Sequence, residues 1–185
     1  MPALTTPKAD IGWKAPDFKL KGTDGAFYTL KDVKGPKGLL VMFICNHCPF
    51  VQAIASKIAI DTKALAAIGI GSVAIMSNDV ENYPEDSFDN MIRFKKAHGF
   101  AFPYVIDETQ AIAKAYGAVC TPDFFGFDAS LTLQYRGRLD ASGMQRIEGG
   151  KRELFEAMKQ VAETGHTAAA QTPSIGCSIK WRGED

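Results

Sequence analysis

The sequence predicts an α/β fold in which a central mixed β-sheet is flanked by helices on both faces. Residues 39–44 and 72–77 are short, uninterrupted apolar stretches, which are typical of buried strands. Each is followed by a segment whose apolar residues recur at helical spacing. Two further strand-like stretches then precede a last helix, and this order of elements favours a mixed sheet that is covered on both sides.

The N-terminal part predicts a β-hairpin. Residues 13–20 and 22–30 together have the character of two short strands around a tight turn, which Asp24-Gly25 favours. Gly35, Pro36 and Gly38 then interrupt the chain before the strand at 39–44.

Two helices are expected on either side of the strand at 72–77. The first follows Cys48 and ends at Gly69, and its apolar positions are Val51, Ile54, Ile58, Leu65 and Ile68. The second begins at Pro84, where a missing N–H is tolerated, and ends at Gly99. One face of this second helix is expected to carry Phe88, Met91, Ile92 and Lys95.

The last third predicts a strand at 104–106, a helix at 109–116, strands at 124–127 and 131–135, and a final helix between Gly150 and Gly165. That helix has the clearest apolar stripe, formed by Leu154, Phe155, Met158, Val161 and Ala162. Residues 166–185 are predicted to form an extended C-terminal tail that packs on the body. We expect residues 1–185 to form one domain, because no linker divides them.

Composition excludes several classes of partner. Lys plus Arg equals Asp plus Glu at 21 each, so we expect no nucleic-acid partner. The first residues lack the basic and apolar regions of a secretory signal, and no apolar stretch has membrane-spanning length. We therefore expect a cytoplasmic protein with no membrane partner. These features specify neither an electron donor nor an oligomeric state.

The most informative motif is Cys45-Asn46-His47-Cys48-Pro49, which joins the strand at 39–44 to the following helix. Unpaired N–H groups and the helix dipole favour thiolates there, and the thiol pKa in such motifs falls to roughly 3.5–7.5. We expect Cys45 to be the exposed, attacking thiol and Cys48 to resolve the mixed disulfide. We expect His47 to lower the pKa of Cys45 and make the pair more oxidising.

A metal site is the alternative use of two cysteines at this spacing. Zinc needs four ligands, and the sequence has no second Cys-x-x-Cys and no paired histidine motif. His47 between the cysteines would strain a single tetrahedral site. The sequence therefore favours redox chemistry with no metal or cofactor, and a non-catalytic metal-binding module remains the alternative.

Several short motifs together resemble a known family. They are Ala15-Pro16-Asp17-Phe18, Asp24-Gly25, the cysteine motif, and Tyr116-Gly117 leading to Thr121-Pro122, and they span most of residues 11–165. The chain resembles the thioredoxin-like superfamily, in its redoxin branch of alkyl hydroperoxide reductase and thiol-specific antioxidant proteins. The ending, residues 172–181, resembles an uncharacterised group of bacterial thioredoxin family proteins.

The resemblance implies a thioredoxin-like fold and a role for Thr121 and Pro122. Residue chemistry alone favours a trans bond before proline. In thioredoxin-like proteins the corresponding proline is cis and faces the two cysteines, which implies that the Thr121 backbone lies beside a substrate disulfide. The implied substrate is a protein or small-molecule disulfide or thiol.

The peroxidase branch matches less well. Peroxiredoxins use a Pro-x-x-x-Thr/Ser-x-x-Cys pattern. If Cys48 is the cysteine of this pattern, Cys45 stands at the Thr/Ser position and Val41 at the Pro position. If Cys45 is that cysteine, the two positions hold Met42 and Gly38. Disulfide exchange is therefore favoured, and a peroxiredoxin-like antioxidant peroxidase that uses other groups is the second alternative.

Cys120 and Cys177 have two interpretations, either two inert buried thiols or a second redox pair. In the tail, Ile175, Cys177, Ile179 and Trp181 alternate as in a strand with one buried face. We hypothesise that the tail crosses near the active-site end and brings Cys177 toward Cys120. A disulfide there requires Cα atoms within roughly 7 Å of each other.

Overall fold

The computed structural model describes residues 3–8 and 10–184. The strands are β1 Ala3–Thr5, β2 Leu20–Gly22, β3 Phe27–Tyr28, β4 Gly38–Phe43, β5 Ile70–Met76, β6 Tyr104–Ile106, β7 Cys120–Thr121, β8 Asp123–Asp128, β9 Leu133–Arg136 and β10 Ile175–Ser178. The helices are α1 Leu30–Val33, α2 Pro49–Gln52, α3 Ala55–Ala67, α4 Phe88–His98, α5 Ala111–Tyr116 and α6 Glu153–Thr164.

Seven strands form the main sheet, in the order β3-β2-β6-β5-β4-β8-β9. The central strand β4 pairs in parallel with β5 and antiparallel with β8, so the sheet is mixed, as predicted. Every residue of β4 is buried. A strand that carries helices on both faces has a continuous apolar sequence of this kind.

Alternate residues of β4 enter two different apolar clusters, because successive side chains point to opposite faces of a sheet. Leu40 and Met42 join side chains of α3, α4 and α6. Leu39 and Val41 join side chains of α1 and α5 on the other face. The predicted α/β fold with helices on both faces is confirmed.

The N-terminal hairpin is shorter than predicted. The turn at Asp24-Gly25 is present, and Gly25 has a φ of 87° that glycine adopts readily. The paired strands β2 and β3 are only three and two residues long. The preceding segment instead runs beside residues 131–133, where Lys14 forms an antiparallel bridge with Thr132. It also places Trp13 edge-on against Phe125 and Phe127, with ring centroids 5.9 and 5.6 Å away.

The helix predicted after Cys48 is divided into α2 and α3. Residue Ile54 lies at the division with φ −115° and ψ 6°, outside helical geometry. Ile68, which we assigned to the apolar stripe, follows the end of α3 and is 37% exposed. At Pro84 the chain forms only a short 3-10 turn, and α4 begins after Ser87, whose hydroxyl accepts the Asn90 N–H at 3.2 Å.

The tail contributes a strand to a second sheet. Its strand β10 lies between β1 and β7 and is antiparallel to both. Cys177 is paired with Ala3 on one side and with Thr121 on the other. Within the described part of the chain, no helix is both long and apolar enough to cross a membrane.

Candidate redox site

Both cysteines of the motif lie where β4 gives way to α2. Cys48 caps α2, and its carbonyl accepts the N–H groups of Val51 and Gln52 at 3.0 and 2.9 Å. Pro49 occupies the first helical position, where its missing N–H has no intrahelical partner to lose. The end of β4 therefore positions Cys45, and the start of α2 positions Cys48.

The two sulfur-bearing side chains are buried, so the expectation that Cys45 is an exposed tip is wrong. Cys45 is 1% exposed and Cys48 is 0% exposed. The cover comes from the tail, whose strand β10 contacts α2 and pairs with β7. Gly176 lies so close to the Thr121 carbonyl that a Cβ there would overlap it.

Thr121 contacts both sulfurs. Its hydroxyl lies 3.5 Å from Cys45 Sγ, and its carbonyl oxygen accepts a hydrogen bond from the Cys48 thiol at 3.2 Å. The Thr121–Pro122 peptide bond is cis, the conformation that the family resemblance implies. Four of the site residues named from the sequence thus lie together: Cys45, Cys48, Thr121 and Pro122.

Of the two hydrogen-bonded thiols, Cys48 is the one whose pKa is lowered. A hydrogen bond from Cys45 is the main cause that lowers the Cys48 pKa to about 5, and the Cys177 thiol and N–H and the Thr121 hydroxyl act in the same direction. Burial opposes this shift, as does the Thr121 carbonyl, which can only accept from the protonated thiol.

The Cys45 pKa moves the opposite way. Its hydrogen bond to Cys48 raises the pKa of Cys45 well above the usual thiol value, and burial and the charge of Asp86 add to the rise. The hydrogen bond between the two thiols thus shifts their pKa values in opposite directions, and the roles of Cys45 as attacking thiol and Cys48 as resolving thiol stay a prediction. The sequence argument considered the helix N-terminus and His47, and it missed the groups that β7 and β10 contribute to the two thiol pKa values.

His47 is paired with Asp86 and not with Cys45. Its Nδ1 lies 2.7 Å from an oxygen of Asp86, a carboxylate that is completely buried. Contact with Asp86 raises the pKa of His47, and the charge of Cys48 raises it further. Because the coupling is mutual, a protonated His47 favours a thiolate on Cys48. The expectation that His47 lowers the pKa of Cys45 is not supported.

Asp86 organises the residues around the motif. One of its oxygens accepts the backbone N–H of Asn46 at 2.8 Å, and the other accepts the side-chain amide of Asn78 at 2.9 Å. The Asn46 side chain accepts in turn from the Tyr104 hydroxyl at 2.9 Å. Sequence reasoning missed Asp86, Asn78 and Tyr104 because their sequence positions lie far from the cysteines and carry no motif.

One cluster of potential metal ligands overlaps this site. Ligand atoms of Cys45, His47 and Asp86 all lie within 4.8 Å of one another. The two Asp86 oxygens already accept from Asn46 and Asn78, and a structural zinc site takes four ligands. The cluster therefore supplies three groups, of which two, His47 and Asp86, are already paired with each other.

Cys120 and Cys177 do not face each other. Cys177 is opposite Thr121, whereas the cross-strand neighbour of Cys120 is Ser178. Adjacent positions on a strand point to opposite faces, so Cys177 faces Cys48 and Cys120 faces away. Burial raises the pKa of the Cys120 thiol. In this register the two residues of the hypothesised Cys120–Cys177 pair lie on opposite faces of the small sheet, and the tail crosses at the site.

The family follows from comparison with known proteins. Residues 11–136 match the AhpC/TSA family, which is more than half of the chain. The fold and the cysteine site define a thioredoxin-like redoxin, and the chain belongs to the AhpC/TSA family. The redoxin branch suggested by the sequence motifs is confirmed.

Three relatives illustrate the likeness. An uncharacterized conserved protein from Geobacillus kaustophilus is 42% identical with a TM-score of 0.91, and the match covers 100% of this chain and 99% of that one. The thiol-disulfide oxidoreductase ResA of Bacillus thuringiensis is 26% identical over 83% of this chain and 80% of its own. The thioredoxin domain of a thiol-disulfide oxidoreductase from Bacteroides vulgatus, 14% identical, shares the fold with a TM-score of 0.65 over 84% of this chain and 99% of that domain.

Proposed function

We propose that this protein is a thiol–disulfide oxidoreductase and that Cys45 and Cys48 are its redox pair. The observation that carries the proposal is the meeting of two hydrogen-bonded thiols with Thr121, immediately before a cis proline. The relative named ResA, which the match covers over most of its length, is a thiol-disulfide oxidoreductase by name.

The net reaction exchanges two electrons and two protons. Cys45 and Cys48 lose them and form a disulfide, while a substrate disulfide takes them up and is released as two thiols. The reverse reaction oxidises a dithiol substrate. The substrate class is therefore a protein or small-molecule disulfide or thiol, and the direction follows from the reduction potential of the pair relative to that of its partner.

The charge distribution favours an oxidising pair. The reduced form is stabilised at neutral pH because the Cys48 pKa is lowered to about 5. Stabilising the reduced form makes the disulfide easier to reduce, and this raises its reduction potential. His47 contributes through its mutual coupling with Cys48, so in this proposal it is a positioning and charge-tuning residue.

Disulfide mapping tests the proposal. Reduced protein is incubated with oxidised glutathione, quenched with acid, and digested for mass spectrometry. We expect a Cys45–Cys48 disulfide in the wild type and in the control variant Cys120→Ser, whose thiol faces away from the site. In Cys45→Ser and Cys48→Ser this bond cannot form. A wild-type protein that keeps both thiols across glutathione buffers of increasing oxidising strength would refute the proposal.

Peroxidase activity is the second candidate, because the AhpC/TSA family name refers to such proteins. The Thr and Pro of the peroxiredoxin pattern are absent whether the pattern is aligned on Cys45 or on Cys48. Arg136 is the arginine nearest in sequence to Pro122, and it forms a salt bridge with the buried carboxylate of Asp123 at 2.9 Å. We expect slow thiol oxidation by hydrogen peroxide in stopped flow. A rapid phase that depends on Cys48 would favour the peroxidase instead.

Metal binding is tested separately. Cys45, His47 and Asp86 provide the cluster described above. Native mass spectrometry of the reduced protein with added zinc would show one bound ion if the metal-binding alternative holds, and that ion would be lost in His47→Ala. We expect no stoichiometric binding, because the Asp86 oxygens are already used by Asn46 and Asn78.

A further inference from the structure

A third cysteine meets the redox pair. Cys177 lies opposite Thr121 in the pairing of β10 with β7, on the side that faces the two buried sulfurs. Cys177 packs against the apolar cluster that contains Cys45 and Cys48, and β10 contacts α2, which begins directly after Cys48. The Cys177 thiol and N–H also help to lower the pKa of Cys48. Cys45, Cys48 and Cys177 are therefore three free thiols within one cluster.

The three thiols differ in accessibility. Cys45 and Cys48 are completely covered, whereas Cys177 is partly exposed. Of these three cysteines, Cys177 is thus the one that meets solvent while the tail is in place. Thiol–disulfide exchange requires direct contact between sulfur atoms, so the covered pair cannot react with a large substrate in this conformation.

The tail is held firmly over the pair. The Ser174 hydroxyl donates to the Pro122 carbonyl at 2.7 Å, and the Ile179 N–H donates to the Val119 carbonyl at 3.1 Å. The Lys180 N–H donates to the side chain of Asn78 at 2.9 Å. Because these bonds lie on both sides of Cys177, displacing the strand would break several of them together.

We propose that Cys177 is a third redox-active thiol, which forms a disulfide with Cys48 and thereby connects the buried Cys45–Cys48 pair to thiols in solution. This inference rests on the proposed function. It assigns to the tail a role as a built-in exchange partner that already occupies the position beside Thr121.

The exchange steps balance as follows. In the oxidised protein, Cys177 loses its proton and attacks Cys48, forming the Cys48–Cys177 bond and releasing Cys45 as a thiolate that takes up a proton. An external thiolate then attacks Cys177, and Cys48 leaves as a thiolate. A second external thiol, after losing its proton, displaces Cys177 as a thiol. Two external thiols have become one disulfide, and the protein is reduced.

The properties of the three sulfurs suit these steps. The attacked sulfur in the second step is the accessible one, and the leaving sulfur has the lowest pKa of the cluster, about 5. A thiol of lower pKa is a better leaving group. Burial and the contact with Cys48 raise the pKa of Cys177 to about 12, which slows its own attack and makes the first step the slow one.

The first experiment traps the new bond. Cys45→Ser, which leaves Cys48 without its usual partner, is oxidised with glutathione disulfide and mapped by mass spectrometry. We expect a bond between Cys48 and Cys177 and no bond to Cys120. If Cys48 instead accumulates as a mixed disulfide with glutathione while Cys177 stays reduced, the proposal is overturned.

The second experiment measures the rate in the complete site. Cys177→Ser keeps the size of the side chain but removes the exchanging sulfur, and we expect oxidation of the Cys45–Cys48 pair by glutathione disulfide to slow by about tenfold or more, since contact between sulfurs is lost. Cys120→Ser is the control and should react as the wild type does. An unchanged rate in Cys177→Ser would overturn the proposal and leave the proposed function intact.

A third measurement keeps the test independent of the variants. Wild-type protein quenched at early times should contain the Cys48–Cys177 bond before the Cys45–Cys48 bond reaches its final amount. Failure of the wild type to form any Cys45–Cys48 disulfide at equilibrium would overturn both this inference and the proposed function. The two failures are therefore distinguishable.

Discussion

The Tyr104 hydroxyl donates to the side-chain oxygen of Asn46 at 2.9 Å, and this bond ties the first residue between the two cysteines to strand β6. Tyr104 is completely buried, so the bond is shielded from water. Asn46 also has its N–H bound to Asp86. The segment between the cysteines is therefore held at both its backbone and its side chain.

Replacing Tyr104 with Phe should destabilise the protein, because it leaves a buried acceptor on Asn46 without a partner. We expect a loss of about 1–3 kcal/mol in the free energy of unfolding, measured by urea denaturation of the reduced protein. Tyr116→Phe is the matched control, since its hydroxyl donates to the Pro16 carbonyl at 2.7 Å. Both variants should lose stability, but only Tyr104→Phe should change the reactivity of Cys45 and Cys48. Equal cysteine reactivity in the two variants would show that the Tyr104–Asn46 bond does not hold the segment between the cysteines.

The Gly176→Ala variant should uncover the cysteine pair. A Cβ at this position would overlap the Thr121 carbonyl, so β10 must move away from β7. We expect faster labelling of Cys45 and Cys48 by iodoacetamide, followed by mass spectrometry. Gly143→Ala is the control, because a Cβ there meets nothing within 4 Å. Equal labelling rates in the two variants would show that β10 is not the cover.

The thiolate absorbance of the reduced protein should report ionisation of Cys48. We expect the absorbance near 240 nm to rise as the pH increases through about 5, and this step should be absent in Cys48→Ser. If instead it is absent in Cys45→Ser and present in Cys48→Ser, the assignment of the charge to Cys48 is wrong.

The same ionisation should make stability depend on pH. The folded pKa of Cys48 lies below that of an unfolded thiol, near 8.5, so the full stabilisation is present above the unfolded value. It decreases as the pH falls toward the folded value of about 5. Urea denaturation of reduced wild type and Cys48→Ser across this range should therefore converge at low pH, and a constant difference would contradict the linkage.

The Asp86→Asn variant should lower the pKa of His47 toward its ordinary value, because contact with Asp86 is the main cause of the rise. Proton NMR of the ring signals measures this directly. His98 is an internal control, since burial alone lowers its pKa. A His47 signal that titrates identically in both proteins would show that Asp86 does not set its charge.

The sign of the linkage for His47 is opposite to that for Cys48. A raised folded pKa contributes stability that is present below the unfolded value of about 6.5 and is lost as the pH rises through the folded value. Asp86→Asn should therefore lose more of this contribution in mildly acidic solution than in alkaline solution. The free energy of unfolding of Asp86→Asn and of the wild type is measured at one acidic and one alkaline pH. A larger loss of stability at the alkaline pH would refute the linkage to His47.

Local patterns predicted most of the fold. The apolar stretch of β4 and the stripe of α6 each depend on neighbouring residues, and both were found as expected. The division of the helix at Ile54 was missed because its apolar spacing continues across the break. A period in hydrophobicity indicates a face, and it does not show whether the backbone remains helical.

The site was less predictable because its environment comes from distant parts of the chain. The motif identified Cys45 and Cys48, and the family resemblance pointed to Pro122. Their burial depends on pairing between β10 and β7, which no local pattern encodes. The alternation of apolar residues in the tail predicted one buried face, but Ile175 is 42% exposed whereas Ile179 is 3% exposed. A strand with neighbours on both edges need not have one uniformly buried face.

The small sheet joins the beginning and the end of the described chain, because β10 pairs with β1 as well as with β7. A ribosome makes the chain from its N-terminus at about 5–20 residues per second, so the strand that carries Cys177 emerges last among these three. Until it does, the segment with Cys45 and Cys48 has no cover. The newly made polypeptide thus passes through a period in which Cys45 and Cys48 are uncovered, and the pairing of β10 with β7 ends that period.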